Sequence, residues 1–380
     1  MSVTLLVDVT PRSAGYSGVA RWVDGFVSYL DSKGIAYQET SAPLWAGSTR
    51  GLLRLLVRIR VLRDLLYYSV GLRLLSARYE RVVILDNIGR LILPLPAGAH
   101  PFYLIHDFIP FELSARWVRQ SVGWGAAFAW MLTRRFYGWR LKRILFAPGA
   151  RFGYISRATE QAAYTALGPR AERGEWIGPM ALSDAVRDEG SVDPRVAALV
   201  EGQRYILALG TGDPKKGIES LLAAWARARV AGELKLVLFG ASWKRKGHRW
   251  IESAIHELGV SNVVQLGQVS EATLRCLYRY AAAFVFPSRF EGLGLPPAEY
   301  CLEGSGELIL RDIPALREIY GDVARFFSSD DDLLRLLQDV AGARNEAPVS
   351  ADFRRQTLQA RLDPSIAFDR LCAAVMSQRP

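Results

Sequence analysis

One stretch limits the folds open to this chain. Ala283-Phe284-Val285-Phe286 is a short apolar run bounded by turn signals, the pattern of a buried strand. It leads into Pro287-Ser288-Arg289-Phe290-Glu291-Gly292-Leu293-Gly294. Gly292 and Gly294 let the backbone turn tightly and approach a ligand with no side chain in the way. Leu295 comes next, and then Pro296 and Pro297, which suit the first turn of a helix, where a missing N–H costs nothing. Strand, glycine turn and helix N-terminus in succession build an α/β sheet. Glu291 and Glu299 bracket the turn, and Glu299 is expected in the helix's first turn, where negative charge is favoured. Such a turn can hold a phosphate on backbone N–H groups and sugar hydroxyls on carboxylate oxygens. The plainer alternative is a capped surface helix after a buried strand.

The same order recurs. Val3 to Val7 reads as a buried parallel strand, a loop with Gly15 and Gly18 follows, and Val19, Val23, Phe26, Val27 and Leu30 keep helical spacing. Tyr205 to Leu209 is a strand followed by Gly210-Thr211-Gly212-Asp213-Pro214-Lys215-Lys216-Gly217 and by a helix with Ile218, Leu221, Leu222 and Trp225 at core spacing. Lys215 and Lys216, in a glycine loop at a helix N-terminus, can neutralise a pyrophosphate. Phe102 to Ile105 is a strand ending in His106-Asp107, at the end of the strand where open α/β sheets place ligands. A chain of 380 residues favours more than one domain. From 169 to 203 it turns polar, with glycine, proline and charge mixed, as a linker does.

The Glu-Gly-Leu-Gly-Leu-Pro-Pro core with glutamates eight positions apart resembles the E-x7-E motif of retaining glycosyltransferases of family 4. The resemblance implies the GT-B fold, two Rossmann-like doubly wound α/β domains facing across a cleft. It divides the chain into an N-terminal domain at 1–175 on the acceptor and membrane side, a linker at 176–203, a donor-binding domain at 204–362, and a helix at 363–380 that crosses back to the first domain. It implies a nucleoside diphosphate sugar as donor, with His106 and Glu291 catalytic. Gly15, Gly18, Thr211, Lys215, Lys216, Gln268, Val269, Gly292, Leu293, Gly294, Leu295 and Glu299 would line the donor. Lys216 stands where the family has its donor-phosphate lysine, so no metal and no other cofactor is expected. The segment Gly304-Ser305-Gly306-Glu307-Leu308 departs from the family's usual Gly-x-Pro-Val before a strand, and no arginine stands near Thr211.

Charge bears on the acceptor. Residues 1–150 hold 19 Lys and Arg against 9 Asp and Glu, while the rest of the chain holds 29 of each. A basic half suits an anionic partner. Arg50, Arg54 and Arg58 share one helical face among leucines, either as an amphipathic helix on an anionic membrane or as a domain helix with a solvated basic edge. Residues 112–143 mix tryptophan with arginine, which suits a membrane interface. No nucleic-acid-binding motif accompanies them. The three cysteines are widely spaced, which excludes a disulfide scaffold. The first residues read as a strand and not as a signal peptide. A cytoplasmic enzyme is therefore expected, peripheral at the inner membrane. It would transfer a hexose, mannose being one candidate, to a lipid-linked or saccharide acceptor in polysaccharide or lipopolysaccharide assembly. The rival readings are another nucleotide-sugar enzyme of similar fold, an epimerase or a phosphorylase, and a basic nucleic-acid-binding protein.

Overall fold

In the computed structural model the chain divides into two units, one comprising Met1–Ser183 with Asp363–Pro380, the other Asp184–Leu362. The structure describes residues 5–14, 18–43, 66–85, 91, 93–114, 119, 124–180, 191–202, 204–211, 213–230, 232–240, 244–342 and 349–377. Gly15 and the leucine- and arginine-rich segment at 50–65 lie outside these.

The first unit is built on a six-stranded sheet: β1 (Leu5–Asp8), β2 (Tyr37–Thr40), β3 (Arg81–Ile84), β4 (Pro101–Ile105), β5 (Arg151–Tyr154) and β6 (Glu175–Trp176), in the order β2-β1-β3-β4-β5-β6. All its pairings are parallel. Parallel strands are covered on both faces, which is why β1, β3 and β4 are buried at every position. Three helices matter for the argument: α1 (Gly18–Ser32), α2 (Trp124–Leu145) and α3 (Arg157–Leu167). Helix α1 buries Trp22, Val23, Phe26, Val27 and Leu30, the face its spacing foretells. Ser156 caps α3 by accepting the Thr159 N–H.

The second unit carries its own parallel sheet of β7 (Tyr205–Leu209), β8 (Lys235–Phe239), β9 (Val263–Gly267), β10 (Ala283–Phe286), β11 (Glu307–Arg311) and β12 (Arg325–Phe327), ordered β12-β11-β10-β7-β8-β9. Counted from β7, this is the Rossmann order. The chain starts in the middle, builds outward on one side, then returns to build the other. The reversal lies between β7 and β10, which are hydrogen-bonded neighbours. Around the sheet run α4 (Pro194–Gly202), α5 (Ile218–Ala228), α6 (Lys244–Glu257), α7 (Glu271–Tyr280), α8 (Leu295–Glu303), α9 (Pro314–Tyr320), α10 (Asp330–Gly342) and α11 (Ala351–Arg361). Asp330, Asp331 and Asp332 form the first turn of α10. Ser329 accepts the Asp332 N–H while Asp332 accepts the Ser329 N–H, a reciprocal cap.

One stretch differs from the sequence expectation. The segment 176–203 is not simply a linker. Its end forms α4, which belongs to the second unit and buries Val196 and Leu199. Two apolar positions in a short helix set among proline, glycine and charge give too little periodicity to read. The last helix, α12 (Pro364–Met376), belongs to the first unit. Phe368 packs edge-on against Trp22 at 5.6 Å, over a bare patch at Gly25 where an added Cβ would stand 2.7 Å from the Phe368 ring. Arg81 donates to the Val375 carbonyl at 2.8 Å, tying this helix to β3. Full burial of a ring such as Phe368, only 4% exposed, is worth roughly 2–3 kcal/mol.

Candidate functional site

Ligands of an open α/β sheet bind beyond the carboxyl ends of the strands, where the strand order reverses. In the second unit that place is occupied by the loops after β7 and β10. The first is shaped by Asp213, which accepts the Lys215 N–H and starts a single 3-10 turn at Pro214–Lys216. Gly217 ends it at φ +66, and a Cβ there would lie 2.2 Å from the Pro287 carbonyl oxygen. The loops are stitched along this line: the Arg289 N–H donates to the Lys215 carbonyl at 2.8 Å, and the buried Ser288 hydroxyl donates to the same oxygen at 3.3 Å. The stitch brings Lys216 Nζ to 2.5 Å from Glu291 Oε1. Lys216 also lies 5.6 Å from the centre of the Phe286 ring. The Lys215 amine turns instead towards Asp213, at 3.5 Å. Among the described residues the buried Thr211 hydroxyl oxygen has no hydrogen-bond partner.

The turn after Glu291 is held from behind. Gly294 sits at φ +80 as the N-cap of α8, where a Cβ would stand 2.5 Å from Leu316. The buried Tyr320 hydroxyl donates to the Gly294 carbonyl at 2.6 Å. Helix α8 starts at Leu295, so Glu299 lies beyond its first turn, contrary to expectation. There it accepts from the Tyr278 hydroxyl at 3.2 Å. The expected row of helix N-terminal donors is also thinner. Of the first four positions two, Pro296 and Pro297, are proline and offer no N–H. Positive charge for an anion at this turn rests on Lys216 more than on backbone.

Beneath the loop lies Arg311, at the end of β11. Its Nε donates to the Pro287 carbonyl at 2.9 Å and its guanidinium lies 4.8 Å from the Phe327 ring centre. Burial pushes its pKa down to about 10, and the nearby Arg289 adds to that. Arg289 is engaged in turn by Glu219 and Ser220, each at 2.9 Å.

In the first unit, His106 follows β4. Its Nε2 lies 2.7 Å from the Leu85 carbonyl, which can only accept, so Nε2 carries the proton. Its ring meets Trp22 edge-on at 5.9 Å. Thr159 on α3 donates to the His106 carbonyl at 3.3 Å. Asp107 accepts the Ile109 N–H at 3.1 Å and so opens a short helix at Ile109–Glu112. A small hollow here is lined by Ile105, His106, Asp107, Phe108, Tyr137 and Leu141. Burial, with a lesser contribution from the Asp107 charge, pushes the Glu112 carboxyl up to about 7. Gly18 opens α1.

Residues 192–322 match the sequence model of the family described as glycosyl transferases group 1. An O-antigen chain mannosyltransferase B of Escherichia coli is 27% identical over 148 residues, 36% of this chain and 38% of that protein. An MMP alpha-(1->4)-mannosyltransferase of Mycolicibacterium hassiacum is 33% identical over 134 residues, 34% of this chain and 32% of its own length. The matched stretch thus spans well under half of these curated relatives. Among solved structures, an alpha,alpha-trehalose-phosphate synthase (UDP-forming) from Burkholderia vietnamiensis superposes with a TM-score of 0.67 at 13% identity, over 99% of this chain and 97% of that one. A sucrose-phosphate synthase from Thermosynechococcus elongatus gives 0.65 at 17% identity, over 98% and 99%.

The chain has the GT-B fold. Its second Rossmann-like unit carries the group 1 glycosyltransferase sequence pattern. Within that GT-B unit the structure joins Lys216 to Glu291 directly, and it sets Gly292, Leu293, Gly294 and Leu295 on the same turn. Glu299 stands one helical turn further on. Thr211 and Lys215 stay on the β7 loop. Gln268 and Val269 follow β9, the outermost strand, two strands along the same sheet edge. Sequence reasoning missed Tyr320, Arg311 and Tyr278, which brace the turn or its glutamates from other elements, and Arg289, which ties the loop to Glu219 and Ser220. Only the strand-end position of Arg311 could have drawn notice.

No described helix is long and apolar enough to cross a membrane.

Proposed function

We propose that this chain is a retaining glycosyltransferase of family 4 type, moving a hexose from a nucleoside diphosphate sugar to a lipid-linked or saccharide acceptor. The observation that carries the reading is the Lys216–Glu291 pair, held at 2.5 Å at the point where the second sheet reverses its strand order. A cation and a carboxylate on one rim serve two parts of one ligand. Lys216 would meet the pyrophosphate, whose charge grows as the glycosidic bond breaks. Glu291 would accept hydrogen bonds from donor-sugar hydroxyls, and Glu299 from the ribose. His106 would act on the sugar from the first unit.

Glycosyl transfer passes through an oxocarbenium-like state. Nothing at the turn supplies an assured nucleophile, so the acceptor would attack from the side of the departing phosphate, with retention. Lys216 offers leaving-group charge without a metal, so turnover should survive chelation. The two mannosyltransferase relatives favour mannose as the sugar, and the Escherichia coli one favours O-antigen chains as the kind of product.

The test is a screen of nucleoside diphosphate sugars for thermal stabilisation and slow donor hydrolysis, followed by Glu291→Ala. One donor should raise the melting temperature. Product analysis by NMR should show an axial or equatorial linkage matching the donor's anomer. No response to any sugar nucleotide would overturn the reading.

A further inference from the structure

Helix α2 has two apolar faces and the protein core uses one. Tyr137, Leu141, Ile144 and Leu145 face the core of the first unit. On the other side Trp124, Phe128, Met131, Leu132, Phe136 and Trp139 stand 43–74% exposed. At the helical advance of about 100° per residue these six, with exposed Arg135, Lys142 and Arg143, fall within one arc of about 140°. Single exposed apolar residues are ordinary, but six large ones on one arc mark a surface that something covers.

The charge says what covers it. Between Glu112 and Glu160 the chain has nine Arg and Lys and no acidic residue. A cation sits among the rings: Arg143 lies 5.4 Å from the Trp139 ring centre. A protein partner would be expected to meet an apolar centre depleted of charge, with charges at the rim. Here cations and large apolar side chains share one arc. That mixture fits the boundary between acyl chains and headgroups, where rings sit at the interface and arginine and lysine stems reach up to phosphates.

We propose that this outer face of α2 docks the first unit on an anionic lipid bilayer. The rings of Trp124, Phe128, Phe136 and Trp139 enter the headgroup boundary, and Arg135, Lys142 and Arg143 meet lipid phosphates. Helix α2 also lines the hollow at His106 and Asp107, through Tyr137 and Leu141. A helix is about 10–12 Å across, so docking holds that strand end about one helix diameter from the lipid. Resting on the glycosyl-transfer reading, this is where a lipid-borne acceptor would be presented.

The experiment is flotation of the full chain with vesicles of neutral phosphatidylcholine or of phosphatidylcholine with one third phosphatidylglycerol, with no sugar donor present. The native chain should float with the anionic vesicles and be released as salt rises. Trp124→Ser with Phe128→Ser should lower partitioning by about tenfold or more per ring lost. Arg135→Gln, Lys142→Gln and Arg143→Gln should each lower it about fivefold. Unchanged circular dichroism and melting would show that these variants fold. Three results would overturn the proposal: no flotation of the native chain, variants that bind as well as the native chain, or an outer face that proves by sedimentation to bury a second copy. Because no donor is present, failure of the glycosyltransferase reading would leave these outcomes untouched.

Discussion

Lys216 Nζ lies 2.5 Å from Glu291 Oε1 although 75 positions separate the two residues in the chain. Their loops leave neighbouring parallel strands, and both side chains are only partly covered, 26% and 13% exposed. A pair so placed contributes little to folding, about 1 kcal/mol or less. Its value is in holding two ligand-facing groups in register. Glu291→Ala should lower turnover by about 100- to 1,000-fold, the scale for losing one group that meets charge or hydroxyls in the transition state. Its circular dichroism should be unchanged. Lys216→Ala should act similarly. If the pair works as a unit, the double variant loses less than the product of the two. Steady-state rates for the four proteins check this, and near-native turnover of Glu291→Ala would remove the role given to it.

Gly217 holds the two loops at contact distance. Its φ of +66 is one that side chains rarely adopt, and a Cβ would come 2.2 Å from the Pro287 oxygen. Backbone cannot yield as a flexible side chain can. Gly217→Ala should therefore cost at least about 2 kcal/mol, the left-handed penalty plus the clash. It should also weaken sugar-nucleotide binding by separating Lys216 from Glu291. Urea titration and donor titration on the same sample measure both.

The parts of this architecture that were legible in the sequence are the local ones. Buried parallel strands read as apolar runs, and the glycine loops after them stand out, so 205–217 and 283–295 could be placed as strand, turn and helix. Sheet order could not be read. Lys216 and Glu291 meet because β7 and β10 are neighbours, and no spacing along the chain encodes that. Tyr320 lacked any local signal and Arg311 had only its strand-end position, since each acts on a carbonyl supplied by another loop. Helix α4 hid in a polar stretch because two buried positions do not make a period. Glu299 was misplaced by a fraction of a turn because Leu295, not Pro296, begins the helix. The tryptophan and arginine of 112–143 were visible, but which of the rings face outward became clear only with α2 in place.

Tyr320 should prove a positioning residue. Its hydroxyl is fully buried and donates to the Gly294 carbonyl at 2.6 Å. Tyr320→Phe removes the oxygen and keeps the ring. It should cost about 1–3 kcal/mol, since a buried carbonyl loses its donor. KM for the donor should rise more than kcat falls, because the change acts on the turn that binds and not on the reacting atoms. A fall in kcat with KM unchanged would count against it.

Arg311 offers a parallel test from beneath the same loop. Arg311→Met keeps much of the stem packing over Phe327 and removes the donor to the Pro287 carbonyl. Stability should fall by about 1–3 kcal/mol, since the buried Pro287 carbonyl loses its donor. Donor affinity should also fall by about tenfold or more, the scale of one hydrogen bond to a charged group. Isothermal titration beside urea denaturation separates the two effects, and unchanged affinity would show that the loop holds itself.

Glu112 should make the first unit's stability depend on pH in an uncommon direction. Burial first, and the Asp107 charge second, raise its pKa from an ordinary 4.5 to about 7. The folded state therefore keeps a proton that the unfolded chain has released between those two values. Stability from this group is complete below about pH 4.5 and is lost as pH rises towards and through 7, the reverse of a salt-bridged carboxylate. Glu112 is itself more than a third exposed to solvent, so screening reduces the effect well below that of an enclosed carboxyl. Glu112→Gln fixes the neutral form. Between pH 5 and 8 the urea midpoint of the native chain should fall relative to that of the variant, and parallel midpoints across this range would show that Glu112 titrates as an ordinary surface carboxylate.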